Sequence, residues 1–272
     1  MSTDFSCESS CFCMHNKMNK DTTPVSEKYR APALDKGLDI LELLAQHAGG
    51  LTRSEIVSAM DRRPGEIYRM LERLVARRYV SRSQEGDRYS LTLKLFLLGT
   101  VHPPVRRLVT LAQPLMDTFA RDTGQSIHLA ALDQGKAIVI AQASSAGNWE
   151  FKLKIGAALN LTNTGSGKTL LAYQQEQYKD DLIRTLSKNV KKKALRDELK
   201  EIKTDGYRIS SSAQLKGVTD ISVPLLGHDE QSFGVFTCPY IERLEPPPTG
   251  KSAATVSIIL KLLIALSNSA SL

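Results

Sequence analysis

Thr52-Arg53-Ser54-Glu55-Ile56-Val57-Ser58-Ala59-Met60-Asp61-Arg62-Arg63-Pro64-Gly65-Glu66-Ile67-Tyr68-Arg69-Met70-Leu71-Glu72-Arg73-Leu74-Val75 decides the fold. Thr52 with Glu55 three residues on is a capping box, in which each side chain satisfies the other's free backbone donor at a helix start. Ile56, Val57 and Met60 give that short helix its apolar side. After Asp61-Arg62-Arg63, Pro64 suits the first turn of a second helix, where a missing N–H costs nothing. At about 100° per residue, Ile67, Leu71, Leu74, Val75 and Arg78 fall in one sector, with Gly65, Arg69 and Arg73 opposite. Upstream, Leu34, Leu38, Ile40, Leu41 and Leu44 form another helical stripe, ended by Gly49-Gly50. Downstream, Tyr79-Val80-Ser81-Arg82 and Arg88-Tyr89-Ser90-Leu91 flank the turn-forming Gln84-Glu85-Gly86-Asp87. A helix-turn-helix followed by a hairpin is a winged helix.

The charge falls on the same stretch. Residues 62–82 hold Arg62, Arg63, Arg69, Arg73, Arg77, Arg78 and Arg82 against Glu66 and Glu72, within a chain of 272 residues whose formal net charge is +7. Every base is arginine, whose planar fork suits phosphates and guanine edges. Such clustering on one short element is the footprint of a nucleic-acid surface. Arg62, Arg63, Arg69 and Arg73 are the candidate phosphate and base contacts, with Gly65, Glu66 and Tyr68 beside them. Arg82 and Arg88, on the facing strands, are candidates for the DNA backbone. Glu66 cannot favour phosphate, but it can accept from cytosine N4.

Residues 33–99, from Ala33-Leu34-Asp35-Lys36-Gly37-Leu38-Asp39-Ile40-Leu41 through Tyr68-Arg69-Met70-Leu71 and Tyr79-Val80 to Leu98-Gly99, resemble the DNA-binding domain of the IclR family of bacterial transcriptional regulators. The resemblance continues through Pro114-Leu115-Met116, Thr123-Gly124-Gln125, Thr164-Gly165-Ser166-Gly167-Lys168-Thr169-Leu170-Leu171-Ala172, Gly206-Tyr207, Gly217-Val218 and Val223-Pro224. It implies an α+β chain: a winged helix-turn-helix over 33–99, a linker and connecting helix over 100–123, and a sheet-and-helix, GAF-like effector-binding domain over 124–272. Residues 1–32 are expected to be a disordered leader. It also implies double-stranded operator DNA and a small-molecule metabolite as partners, no cofactor, no enzymatic role, and action in the cytoplasm. A homodimer is expected on physical grounds too, because one winged helix reads only a few base pairs. The linker helix with Leu93, Phe96 and Leu97 is the candidate contact, and family members often pair further into tetramers.

In the second half, residues 126–132 and 136–142 read as one β-hairpin, and 221–226 with 233–237 as another. Helices fit 167–176, 178–187, 190–204 and the apolar stretch from Ser252. A Gly-rich turn opening a helix leaves N–H donors for an anion such as an effector carboxylate. Gly165, Ser166 and Gly167 are therefore the preferred ligand contacts. Ser210, Asp220, Phe236 and Cys238 are further candidates, placed by the resemblance; they depart from the residues common in the family, so a bulkier, partly apolar ligand fits as well. For Phe236 and Cys238, ordinary core is the competing reading.

Several function classes are set aside. Gly165-Ser166-Gly167-Lys168-Thr169 invites a nucleotide-hydrolysing enzyme, but a phosphate loop needs Gly where this chain has Thr162. A non-specific nucleic-acid-binding protein is the other alternative. Cys7, Cys11, Cys13 and His15 have the ligand types for zinc without a common finger spacing. His47, His102, His128 and His228 are scattered singly, and no Gly-x-Ser-x-Gly elbow supports a hydrolase. With 42% hydrophobic and 24% charged residues the composition is globular. No stretch approaches the roughly 18 apolar residues of a membrane span, the best candidate, 253–266, being broken by Lys261.

Overall fold

The computed structural model describes residues 31–270 apart from 86, 102, 145–150, 187–190, 228 and 243–255. The expectations for the leader, its cysteines and the 227–229 turn's His228 lie outside the described residues. The chain divides into two compact units, one ending at Leu98 and the other beginning at Gly99.

In the first unit, α1 (Pro32–Ala45) starts with Pro32 in its first turn and buries Ile40 and Leu44. Leu34 and Leu38, expected in the same stripe, are instead exposed. The two-residue strand β1 (Leu51–Thr52) leads into α2 (Arg53–Met60). The capping box forms as read: the Glu55 amide donates to Thr52 Oγ1 at 3.2 Å, and the Thr52 amide donates to Glu55 Oε2 at 2.7 Å. Asp61 ends α2 in the left-handed region, at φ 49. Helix α3 (Pro64–Ala76) then buries Ile67 and Leu71 completely, against Ile40, Leu44 and Ile56. Arg78 does not extend that buried sector, because the helix has already ended and Arg78 sits at φ 62 in the turn beyond it. Strands β2 (Val80–Arg82) and β3 (Arg88–Leu91) make the hairpin, and β1 joins them in the antiparallel order β1-β3-β2. The third strand was illegible in sequence because two residues are too few to show alternation. Helix α4 (Lys94–Val101) follows and is apolar yet exposed.

The second unit opens with α5 (Pro103–Thr123), then β4 (Ile127–Asp133), β5 (Lys136–Ala143) and β6 (Ala158–Asn160). Three helices follow, α6 (Gly165–Ala172), α7 (Glu176–Thr185) and α8 (Lys192–Asp205). Strands β7 (Arg208–Ser211), β8 (Thr219–Leu226) and β9 (Ser232–Tyr240) precede α9 (Val256–Ala270). The six strands form one antiparallel sheet, ordered β6-β5-β4-β9-β8-β7. Side chains alternate across a strand, so the sheet buries two faces. On one, Ile127, Leu129, Ile221, Val223, Phe236 and Cys238 pack with α5 and α9. On the other, Ala137, Val139 and Val235 pack with α6, α7 and α8. Among the described residues no helix is long and apolar enough to cross a membrane.

The capping box yields a direct test. Thr52→Ala removes a side-chain acceptor from the start of α2 and should lower stability by about 1 kcal/mol in urea unfolding, with Thr52→Ser retaining most of it. An unchanged midpoint for Thr52→Ala would show that the box contributes nothing.

Candidate nucleic-acid interface and ligand pocket

The buried side of α3 fixes what its other side presents. With Ile67 and Leu71 at 0% exposure, Arg69 and Arg73 stand off the core one turn apart, both exposed, as do Arg62, Arg63 and Gly65 just before and within the first turn. Tyr68 is exposed too, and the Arg53 guanidinium lies over its ring at 5.5 Å. Glu66 is not free to swing. The Lys36 ammonium of α1 donates to its Oε2 at 2.6 Å and holds the carboxyl below its usual range. The wing arginines differ from each other. Arg82 is exposed, with its guanidinium 5.8 Å from the Tyr89 ring. Arg88 sits opposite Thr52 in the middle strand, where it donates to the Gly50 carbonyl at 3.0 Å and lies 3.8 Å from Glu55. Arg88 therefore braces the base of the wing, a use that sequence could not show without β1.

In the second unit, Gly165, Ser166 and Gly167 are the first turn of α6 itself rather than a loop before it. Thr164 caps the helix, accepting from the Gly167 amide at 3.1 Å and donating to the Asn160 carbonyl at 2.7 Å. A Cβ on Gly167 would meet the backbone of Asn160 and Leu161, so Gly167 serves close packing. Gly165 and Ser166 line a small cavity of about 40 Å³ with His128, Phe151, Leu159, Ser212, Asp220 and Thr237 among its walls. That is room for about three waters. Ser210 is not in the wall; its hydroxyl takes a hydrogen bond from Arg208. Phe236 and Cys238 are also absent from it, being fully buried on the α5/α9 face. Strand parity explains the correction: Thr237 and Pro239, one residue along in β9, point to the pocket instead.

His128 and Thr237 line the cavity as members of a polar row across the sheet. Gln142, His128, Thr237, Ser222 and Arg208 lie directly opposite one another across β5, β4, β9, β8 and β7. His128 Nε2 and Ser166 Oγ share a hydrogen bond of 3.0 Å, Ser166 and Thr237 one of 2.9 Å, and Thr237 and Ser222 another of 2.9 Å. All four residues are buried, so the chain of hydroxyls both satisfies itself and pins the start of α6 to the sheet. Burial lowers the His128 imidazole from 6.5 to about 4, keeping it neutral at ordinary pH. The available signal was register: His128, Ser222 and Thr237 are buried polar residues in strands whose neighbours are mostly apolar.

Lys168 and Thr169 are both engaged within the second unit. Lys168 Nζ donates to Glu198 Oε2 at 2.6 Å, and Thr169 is fully buried in the helix. Arg208 holds the same carboxylate through Nε at 3.0 Å and Nη2 at 2.8 Å. Burial pushes Glu198 up, but the hydrogen bonds from Lys168 and Arg208 outweigh it and hold the carboxyl below its usual range. Lys168 and Arg208 thus tie α6 and β7 to α8 through one carboxylate. A wider, open groove of about 540 Å³ beside Tyr173, Asp205 and Ile264 is lined mainly by apolar and backbone groups. Among the described residues no cluster of His, Cys, Asp and Glu could hold a metal.

One unit is thus a winged helix-turn-helix with a basic outer face, and the other is an α+β unit with a small polar cavity under a helix start. The profile described as "Bacterial transcriptional regulator IclR C-terminal" matches residues 104–243, and that described as "IclR helix-turn-helix domain" matches 33–84. The chain belongs to the IclR family of bacterial transcriptional regulators. It is 31% identical over 169 residues to the HTH-type transcriptional regulator KdgR of Escherichia coli (strain K12), a match covering 58% of this chain and 63% of that one. The match therefore spans less than two thirds of that relative's length. It is 26% identical to the Glycerol operon regulatory protein of Streptomyces coelicolor, covering 75% of this chain and 81% of that one. Among solved structures, the Thermotoga maritima IclR shares its fold at a TM-score of 0.69 and 19% identity, covering 87% and 96%. An IclR homolog of Microbacterium hydrocarbonoxydans, solved with 4-hydroxybenzoate, does so at 0.72 and 17%, covering 88% and 97%.

The buried imidazole gives the pocket a pH signature. Unfolded, His128 gains its proton near 6.5; folded, it resists until about 4. Its contribution to stability is therefore whole above pH 6.5 and is lost as pH falls from 6.5 to 4, by on the order of 3 kcal/mol. Urea unfolding at pH 7 and pH 4.5 should show a steeper loss for the native chain than for His128→Gln. Parallel losses would mean that His128 titrates no differently in the two states.

Proposed function

We propose that this protein is a sequence-specific, DNA-binding transcriptional regulator whose grip on its operator is modulated by a small molecule held beneath the start of α6. The observation that carries this reading is the exposed pair Arg69 and Arg73 on the face of α3 opposite the wholly buried Ile67 and Leu71. A helix so mounted can enter the major groove with its arginines towards base edges and phosphates. Arg62, Arg63, Gly65 and Tyr68 flank that contact, Glu66 is presented by Lys36 towards a base, and Arg82 meets the backbone from the wing. The kinship with regulators, and a family member solved with a bound aromatic acid, support the effector half of the reading.

The protein acts as a homodimer in this reading, since two half-sites are needed for specific affinity. The linker helix with Leu93, Phe96 and Leu97, all three exposed in the single chain, is the surface assigned to that contact. Pairing of dimers into tetramers is an extension of the same reading. The site of action is the bacterial cytoplasm, where the operator is. The role assigned is binding rather than catalysis, and the Lys168–Glu198 pair speaks against nucleotide hydrolysis.

A gel shift with DNA upstream of the protein's own gene, under excess random competitor and across a salt series, tests the proposal. The native chain should keep its shifted band, and Arg69→Ala/Arg73→Ala should lose it. Each phosphate contact removed should flatten the salt dependence by roughly one unit of slope. Equal affinity for random DNA, there and in a selection from a random pool, would instead indicate a non-specific nucleic-acid binder.

A further inference from the structure

We propose that Lys36 of α1 is a specificity-positioning residue of the DNA interface: it holds the Glu66 carboxylate as a charge-balanced acceptor for the N4 amino group of one cytosine in the major groove. The inference rests on the reading of α3 as the recognition helix. It names the base that the first turn of α3 selects and a residue outside α3 on which that selection depends.

Lys36, Ile40 and Leu44 follow at four-residue intervals and share one face of α1. Ile40 and Leu44 pack with Ile67 and Leu71 of α3 in the core of the first unit. Lys36 continues that row one turn beyond the core, and Glu66 stands immediately before Ile67. The packing that sets α3 therefore also brings the two charges together. Lys36 Nζ donates to Glu66 Oε2 at 2.6 Å, and both side chains are half-buried. The hydrogen bond and charge of Lys36 hold the carboxyl below its usual range, with Arg63 and Arg62 adding to this from further away. Among the described residues, Glu66 Oε1 carries no further hydrogen bond.

Glu66 lies at the border of the basic face. At about 100° per residue, Arg73 is within about 20° of it around α3 and Arg69 within about 60°. It is the third residue of the helix, in the N-terminal part that reaches base edges in a helix-turn-helix. A lone carboxylate is repelled there, because duplex DNA carries a negative charge about every 1.7 Å of its axis. Paired with Lys36 the unit is neutral, and Oε1 keeps its capacity to accept. Only cytosine and adenine present an amino donor in the major groove. Adenine sets its N7 acceptor beside that donor and repels a carboxylate, whereas cytosine offers N4 alone. Without Lys36, the flexible Glu66 side chain would be drawn towards Arg62 and Arg63 and away from the base.

The test starts from an operator selected by the full-length chain from a random pool, resynthesised with each base changed in turn. Gel shifts should show one position in each half-site where the native chain prefers cytosine by roughly fivefold to tenfold. Replacing that cytosine by 2-pyrimidinone, which lacks only the amino group, should cost the same factor. Glu66→Ala and Lys36→Met should both lose this preference while keeping the guanine preferences assigned to Arg69, which also shows that they fold. The double variant should lose no more than either single one. Lys36→Arg should restore the preference, and Lys36→Gln should behave as Lys36→Met does. The salt slope should be the same for Lys36→Met as for the native chain. A slope flattened by about one unit, with all sequences weakened alike, would make Lys36 a phosphate contact and overturn the proposal. A cytosine preference that survives Lys36→Met overturns it too, as do base preferences that ignore both Lys36 and Glu66, and these leave the regulator reading standing. A native chain with no base preference anywhere sinks both.

Discussion

Burial of Ile67 and Leu71 against Ile40, Leu44 and Ile56 is the constraint on which the first unit depends. Each side chain taken fully out of water is worth about 1.5–3 kcal/mol, so the rotational setting of α3 about its own axis is strongly fixed. That setting, and nothing local to the arginines, directs Arg69 and Arg73 outward. Pro64 in the first turn and the αL residue Asp61 before it set where the helix starts. A shift of one residue would rotate the basic face by about 100° and bring a guanidinium towards the core. The Lys36–Glu66 pair ties the same helix start to α1. The wing is secured separately, by β1 and by Arg88 on the Gly50 carbonyl.

The second unit solves a different problem: it holds a helix start over a sheet while leaving a small cavity between them. Two polar devices do this on either side of α6. On the sheet side the buried hydroxyls of Ser166, Thr237 and Ser222, with His128, satisfy one another. On the α8 side Glu198 takes both Lys168 and Arg208. Buried polar groups are costly unless paired, and here pairing is nearly complete, which leaves Asp220 as the charged group available at the cavity. Rigid anchoring of α6 also means that anything seated beneath it must act through the sheet or through the helix as a whole.

The winged helix was legible almost residue by residue, because capping boxes, Pro at a helix start and a 3.6-residue period are local signals. Thr52, Glu55, Pro64, Ile67 and Leu71 all do what their spacing implied. The misreadings came where the decisive partner is distant. Leu34 and Leu38 look like core in a periodic stripe, but the first unit's core does not cover them. The part Arg88 plays at the base of the wing needs β1, 36 residues upstream, to be seen. Four of the second unit's six strands were readable, the short edge strands β6 and β7 were not, and neither was the face of each strand. For Phe236 and Cys238 the core reading holds, and Thr237 between them lines the cavity. His128 looked isolated because its partners Ser166 and Thr237 are 38 and 109 positions away, joined only by sheet register and helix packing.

In the proposed function α3 carries its arginines into the major groove. Dimethyl sulfate protection of guanine N7 in a bound operator fragment measures this directly, since N7 is exposed in that groove. The native chain should protect guanines in two patches about one helical turn apart or a multiple of it, and Arg69→Ala should uncover some of them while binding persists at low salt. Guanines left fully reactive under a saturated complex would contradict the account, placing the contact on the minor groove or on the backbone alone.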